Sequence, residues 1–140
     1  MTMAAVYGPC ERYLLREYWR AILRRVTRRA KEPYLLIGDY NAGASRVDAP
    51  DYRFMAGEEF GGLAQAGAGD VWRRLNPDRT EYTWYSKRPG GTVGRGFRID
   101  HAFASDPLMG RVTGCRYSHD ERAAGTSDHS MLLVDVGTAR

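Results

Sequence analysis

"YLLIGDYN", residues 34–41, is a short apolar run that stops at Gly38, Asp39 and Asn41. A continuous apolar stretch bounded by turn-forming residues reads as a strand buried on both faces that empties into a loop. Upstream, residues 11–31 place Leu14, Tyr18, Ile22 and Val26 at four-residue steps, with Leu15, Trp19 and Leu23 alongside. That spacing predicts an amphipathic helix, and Arg24, Arg25, Arg28 and Arg29 fall on its opposite face, most simply as a solvated surface. Before the helix, "AAVYGP" at residues 4–9 reads as a strand that begins mid-sheet. Strand, helix, strand is the order of an α/β fold, in which ligands gather outside the strand ends.

Downstream, residues 42–52 are small and polar with a proline and read as a loop, and residues 57–66 as a short helix. Val71 and Trp72 belong to either a strand or a helical turn. Two strands near 81–86 and 97–104 are expected, joined by a Gly-rich basic loop, and "GRVTGCRYS" (110–118) and "HSMLLVDV" (129–136) are the last strand candidates. No repeat, low-complexity tract or linker divides the chain, so residues 1–140 are expected to form a single domain.

The 140 residues suffice for one core. With 43% hydrophobic and 27% charged residues and no run of about 18 apolar residues, no membrane span is expected. The first twenty residues lack the pattern of a secretory signal, which makes the cytoplasm the expected location. Cys10 and Cys115 are far apart and form no metal-ligand spacing, so both read as idle thiols. The net charge of +4 is compatible with a polyanionic partner and equally with none.

Three stretches share one design, a carboxylate beside Asn or His where an apolar strand meets a loop. They are "GDYN" with Asp39 and Asn41, "RIDH" with Arg98 and Asp100, and "SDHS" with Asp128 and His129. Read singly, such an Asp is a turn or capping residue and a lone His is structural. All three in order resemble the motifs of the endonuclease/exonuclease/phosphatase family, most closely its exonuclease III-like branch, and the likeness to the C-terminal part of that family runs over residues 5–136.

The resemblance implies part of a four-layer α/β sandwich, two mixed β-sheets flanked by helices, with the first sheet largely missing. It also implies hydrolysis of a phosphate ester, in DNA by preference, with Mg²⁺ or Mn²⁺ as cofactor. Such chemistry needs a hard cation held by carboxylates and donors that neutralise the phosphoryl oxygens. Carried over residue by residue, Asp39 activates the attacking water and Asn41 donates to the phosphate, while Tyr7 contacts it. His129 touches the scissile phosphate and is oriented by Asp100, and Asp128 is the metal-side carboxylate together with Asp39. Trp84, Phe97 and Ile99 match positions that line a pocket for an extruded abasic sugar, although on their residue types alone they are equally strand residues packing a core. Lys87, Arg88, Arg95 and Arg98 match contacts to the DNA backbone; for the first three, a solvated loop is the other reading.

The chain departs from the family in two respects. Members run to about 250 residues in two similar halves, a size still typical of one domain. The family's early Asn-containing strand and its metal-binding glutamate have no counterpart here, and Cys10 stands where the branch carries Asn. Glu58, Glu59 and Glu121 are the conceivable substitutes, each otherwise a surface charge. An uncovered sheet of this kind is expected to favour self-association. The alternatives are a phosphatase or phosphodiesterase of the same fold acting on lipid or small phosphates, and a catalytically inactive nucleic-acid-binding module.

Overall fold

The apolar run of residues 34–37 becomes an inner strand of a four-stranded sheet. The computed structural model describes residues 1–138. In chain order it contains β1 (Thr2–Tyr7), α1 (Arg12–Arg29), β2 (Tyr34–Asp39), α2 (Gly57–Gln65), β3 (Ala68–Asp70) and α3 (Val71–Leu75). There follow β4 (Trp84–Lys87), β5 (Val93–Phe97), β6 (Asp100–Ser105), α4 (Asp106–Met109), β7 (Val112–Ser118), α5 (Asp120–Ala123) and β8 (Met131–Val136). The main sheet has the order β1-β2-β6-β3; β1 runs parallel to β2 through the α1 crossover, and β6 is antiparallel to both of its neighbours. β4 with β5 and β7 with β8 form two further antiparallel pairs. This is a mixed α/β fold of several sheets flanked by helices.

Strand alternation distributes the core to both faces of the main sheet. Leu36 and Phe103, paired in register, point to one side, where Trp19 and Val26 of α1 and Phe60 and Leu63 of α2 cover them. Leu35 and Ala104, the next pair, point to the other side against Trp72, Leu108, Met109 and Tyr117, with Val134 of β8 packed on. Trp19 and Trp72 anchor the two halves at 0% and 1% exposure, and truncating either to Ala should cost about 3–5 kcal/mol. Leu14, expected in the apolar stripe of α1, is instead 43% exposed; the buried stripe runs through Leu15, Trp19 and Val26. Cys10 is exposed and Cys115 buried, both free. Among the described residues no helix is long and apolar enough to cross a membrane.

One open alternative is settled and one expectation needs correcting. The residues at 71–72 form a helical turn, started by Asp70, whose Oδ1 accepts the Arg73 N–H at 3.0 Å. The expected strand over 97–104 is two strands: the Gly-rich stretch itself supplies β5, which closes a hairpin on β4, and the chain turns at Arg98–Ile99 before β6 joins the main sheet. Gly96 permits the first part, since a Cβ there would collide with the Tyr82 ring. Arg98 explains the second, because its buried side chain is drawn inward to Asp48 and Asp70.

Candidate active site

The strand directions bring the motifs to one end of the main sheet. Tyr7 lies opposite Asp39 in the β1–β2 ladder, and Asp39 lies opposite Asp100 in the β2–β6 ladder, so the three occupy one row. The row depends on Gly38, which adopts φ +147° where any Cβ would strike the Val6 carbonyl oxygen. Beyond the strand, Asn41 takes the left-handed conformation with φ 46°, which Asn tolerates better than most residues. Its backbone N–H donates to Asp39 Oδ1 at 2.9 Å, and its Nδ2 donates to the Gly8 carbonyl at 2.8 Å. Asn41 thus ties the loop to β1, which commits one of its two amide hydrogens and leaves the other.

The loop before β8 adds the third motif. His129 Nδ1 donates to Asp100 Oδ2 at 2.9 Å, and the His129 N–H donates to Ser127 Oγ at 3.1 Å. Asp100 is buried, with its own carbonyl receiving the Tyr117 hydroxyl at 2.7 Å. This hydrogen bond from imidazole to carboxylate raises the His129 pKa above its ordinary 6.5, against the opposing effect of burial. Burial likewise raises the Asp39 carboxyl, with repulsion from Asp100 adding to it and the Asn41 N–H working the other way.

Asp39, Asp100 and His129 each offer a ligand atom, and these atoms lie within 4.8 Å of one another. Two carboxylates suit a hard divalent cation and an imidazole is compatible with Mn²⁺, so this donor set fits the expected cofactor. Asp128, expected on the metal side, stands outside that group: it is exposed, and its Oδ2 accepts Trp84 Nε1–H at 3.1 Å, a bond that lowers its pKa. Of the conceivable substitutes, Glu59 faces Arg16 at 3.9 Å and Glu121 accepts the Ser118 hydroxyl at 2.9 Å; neither these nor Glu58 joins the group.

Trp84 and Phe97 pack as neighbours with ring centroids 5.6 Å apart, and Trp84 lies 6.4 Å from His129, so an apolar wall flanks the site. Tyr7 is 73% exposed beside it. Lys87, Arg88 and Arg95 are exposed on the hairpin, Arg95 lying over the Tyr52 ring. Two expectations fail here. Ile99 is a core residue at 6% exposure and walls no pocket. Arg98, at 1% exposure, donates through Nε to Asp48 at 2.8 Å and through Nη2 to Asp70 at 2.6 Å, so its charge is spent inside the protein and does not face a phosphate backbone.

Sequence reasoning missed three features. Asp48 and Asp70, which hold Arg98, sit in segments that read as loop and as part of a strand or turn. Thr83, in an unremarkable "YTWY", is fully buried between Asp100 and the β8 loop. The third is a polar cluster beside that loop. His119 Nδ1 is 2.7 Å from Ser130 Oγ and its Nε2 is 2.9 Å from Glu81, while Arg122 Nε donates to Ser130 Oγ at 3.1 Å. No sequence signal pointed there, and His101, the histidine of the "RIDH" motif, is a fully buried residue bonded to the Ala42 carbonyl.

A profile of the Endonuclease/Exonuclease/phosphatase family matches residues 7–129, a span that begins at Tyr7 and ends at His129. The chain belongs to this family. Solved structures agree on the fold. A 3'-5' exonuclease (NExo) from Neisseria meningitidis superposes with TM-score 0.82 at 20% identity, over 97% of this chain and 61% of that one. An AP endonuclease from Archaeoglobus fulgidus does so with TM-score 0.81 at 19% identity and the same coverages. The AP endonuclease LMAP from Leishmania major gives 0.72 at 17% identity, over 91% of this chain and 45% of that one. At these identities the likeness is one of fold, and this chain of the Endonuclease/Exonuclease/phosphatase family spans 61% or less of the length of each. No curated protein sequence matches it.

Proposed function

We propose that the protein is a divalent-metal-dependent phosphodiesterase acting on DNA. The observation that carries the reading is the convergence of Asp39, Asp100 and His129 from three separate motifs at one sheet end. Mg²⁺ or Mn²⁺ held by the Asp39 and Asp100 carboxylates, with Asp128 close by on the His129 loop, would neutralise charge on the phosphoryl oxygens.

The side chains supply the rest. Asp39, its carboxyl raised by burial, is suited to accept a proton from the attacking water as general base. His129, kept protonated to higher pH by Asp100, donates from Nε2 to a non-bridging phosphoryl oxygen, where charge builds up in the transition state. Tyr7, in the same row as Asp39, and the uncommitted Asn41 amide hydrogen would donate to the same group. Trp84 and Phe97 face an extruded nucleotide, and Lys87, Arg88 and Arg95 hold the strand by charge without reading sequence.

The test is cleavage of duplex DNA and of an abasic-site oligonucleotide with Mg²⁺ or Mn²⁺. Asp39→Ala and His129→Ala should each lower turnover by at least about a hundredfold; equal turnover in either variant would remove the assignment. A second reading, removal of a 3'-terminal phosphate from DNA, draws support from the likeness to a 3' phosphatase NExo from Neisseria bound to a product DNA hairpin. A 3'-phosphorylated hairpin in the same assay separates the two.

A further inference from the structure

We propose that Thr83 is the positioning residue of the Asp100–His129 pair, holding both partners from one point; this rests on the reading of that pair given above. The pair joins two segments with no strand pairing between them, the first residue of β6 and the loop that precedes β8. A hydrogen bond of 2.9 Å across such a gap needs something to fix the distance.

Thr83 touches both segments. Its Oγ1 accepts the backbone N–H of Ile99 at 3.1 Å and of Asp100 at 3.3 Å, and donates to the Phe97 carbonyl at 3.4 Å. A hydroxyl has one donor and two acceptor sites, so this one is fully used. The Thr83 carbonyl accepts the N–H of Ser130, the residue after His129, at 2.9 Å, and its own N–H donates to Phe97 at 2.8 Å. Thr83 is 0% exposed, and no substrate group can reach it.

The chemistry of the chain at this point explains the arrangement. The backbone turns at Arg98–Ile99 between the hairpin and the main sheet, and the Ile99 and Asp100 N–H groups are buried there. Left without a partner, each would destabilise the turn, so the hydroxyl stands in for a neighbouring strand. Ser130 has a second hold, because its side chain also meets His119 and Arg122. Loss of the Thr83 hydroxyl therefore releases the Asp100 side and leaves the His129 side in place. A carboxylate that drifts relative to its imidazole loses its orienting effect, and displacements of about 1 Å cost about a hundredfold in rate.

Thr83→Val keeps the shape and removes the hydroxyl, whereas Thr83→Ser keeps the hydroxyl. In the valine variant kcat should fall about tenfold or more with KM little changed, and the downfield proton resonance of His129 Nδ1–H, identified by its absence in His129→Ala, should broaden or shift. Thr83→Ser should restore both. A valine variant with the unaltered resonance and turnover, or a serine variant that restores neither, overturns the proposal. Should the protein hydrolyse no phosphodiester, the function proposed above falls while the resonance still decides the role of Thr83. Should the valine variant fail to fold, hydrogen exchange in the unsubstituted protein decides it. Slow exchange of the Asp100 and Ser130 amides at the rate of the β6 core supports the clamp, and exchange of either at the rate of an exposed loop overturns it.

Discussion

His129 Nδ1 and Asp100 Oδ2 stand 2.9 Å apart although 29 residues separate them in the chain, and the carboxylate is the more enclosed partner, its side chain 12% exposed against 27%. An enclosed carboxylate facing an imidazole fixes the ring's orientation and favours its protonated form. The site's acid–base behaviour follows from this contact.

In metal-free protein His129 should titrate above 6.5 by proton NMR, and Asp100→Asn should bring it down toward that value. The sign for stability follows. A His whose folded pKa is raised contributes stability that is complete below its unfolded pKa and lost as pH rises through the folded value. Asp39, also raised by folding, likewise favours the folded state less as pH climbs from 3.8 through its folded value. Denaturant midpoints measured across these windows should fall with pH from both groups. Asp100→Asn should flatten the upper window, and an unchanged slope there would rule out the His129 contribution.

Arg98→Met should destabilise the protein by about 3 kcal/mol, because it removes the buried cation that Asp48 and Asp70 share and leaves Asp48 only the cation of Arg73, at 3.3 Å. That is a large share of the stability of an ordinary domain. The loss appears in urea unfolding with no change in the salt dependence of DNA binding. A fall in the salt slope at unaltered stability would instead return Arg98 to the DNA surface.

Much of this was readable in the amino-acid sequence, and the failures share a cause. The strand over 34–39 and the helix over 12–29 follow from local patterns, an apolar run and a four-residue stripe, whereas the meeting of Asp39, Asp100 and His129 was implied only by the likeness of three short motifs to a family. Arg98 sat inside one of those motifs, and nothing local told that its two carboxylates lie 50 and 28 residues away in the chain. Thr83 and Ser130 act through hydroxyls whose partners lie far away in the chain, 14–17 residues off for Thr83 and 8–11 for Ser130, so nothing local marked them. The break between β5 and β6 was hidden because the two strands adjoin in the chain yet belong to different sheets.

Trp84→Phe keeps the apolar wall beside His129 and removes the N–H that Asp128 accepts. Asp128 then loses the main cause of its lowered pKa and its fixed direction. The variant should bind an abasic-site oligonucleotide less tightly by about 1 kcal/mol, as for the loss of one ordinary hydrogen bond. Trp84→Ala should cost more, by removing the stacking surface as well. Fluorescence anisotropy at fixed salt checks both, and a phenylalanine variant that binds as tightly as the tryptophan would separate Asp128 from substrate recognition.

A divalent cation held by the Asp39 and Asp100 carboxylates should raise the melting temperature, since it binds the folded chain and finds no such pair in the unfolded one. At a hundredfold excess over Kd the gain is about 2.7 kcal/mol, which at about 2–4 °C per kcal/mol is a readily measured shift. Asp39→Asn separates two effects of opposite sign. It removes a carboxylate that Asp100 repels, so the metal-free variant should melt no lower than the parent and by this term higher. It also removes an oxygen donor of full charge, so added Mn²⁺ should stabilise it far less. Melting curves of both proteins with and without Mn²⁺ test the pair of statements together. A variant that loses metal-free stability but keeps the whole Mn²⁺ shift would place the cation elsewhere than on Asp39.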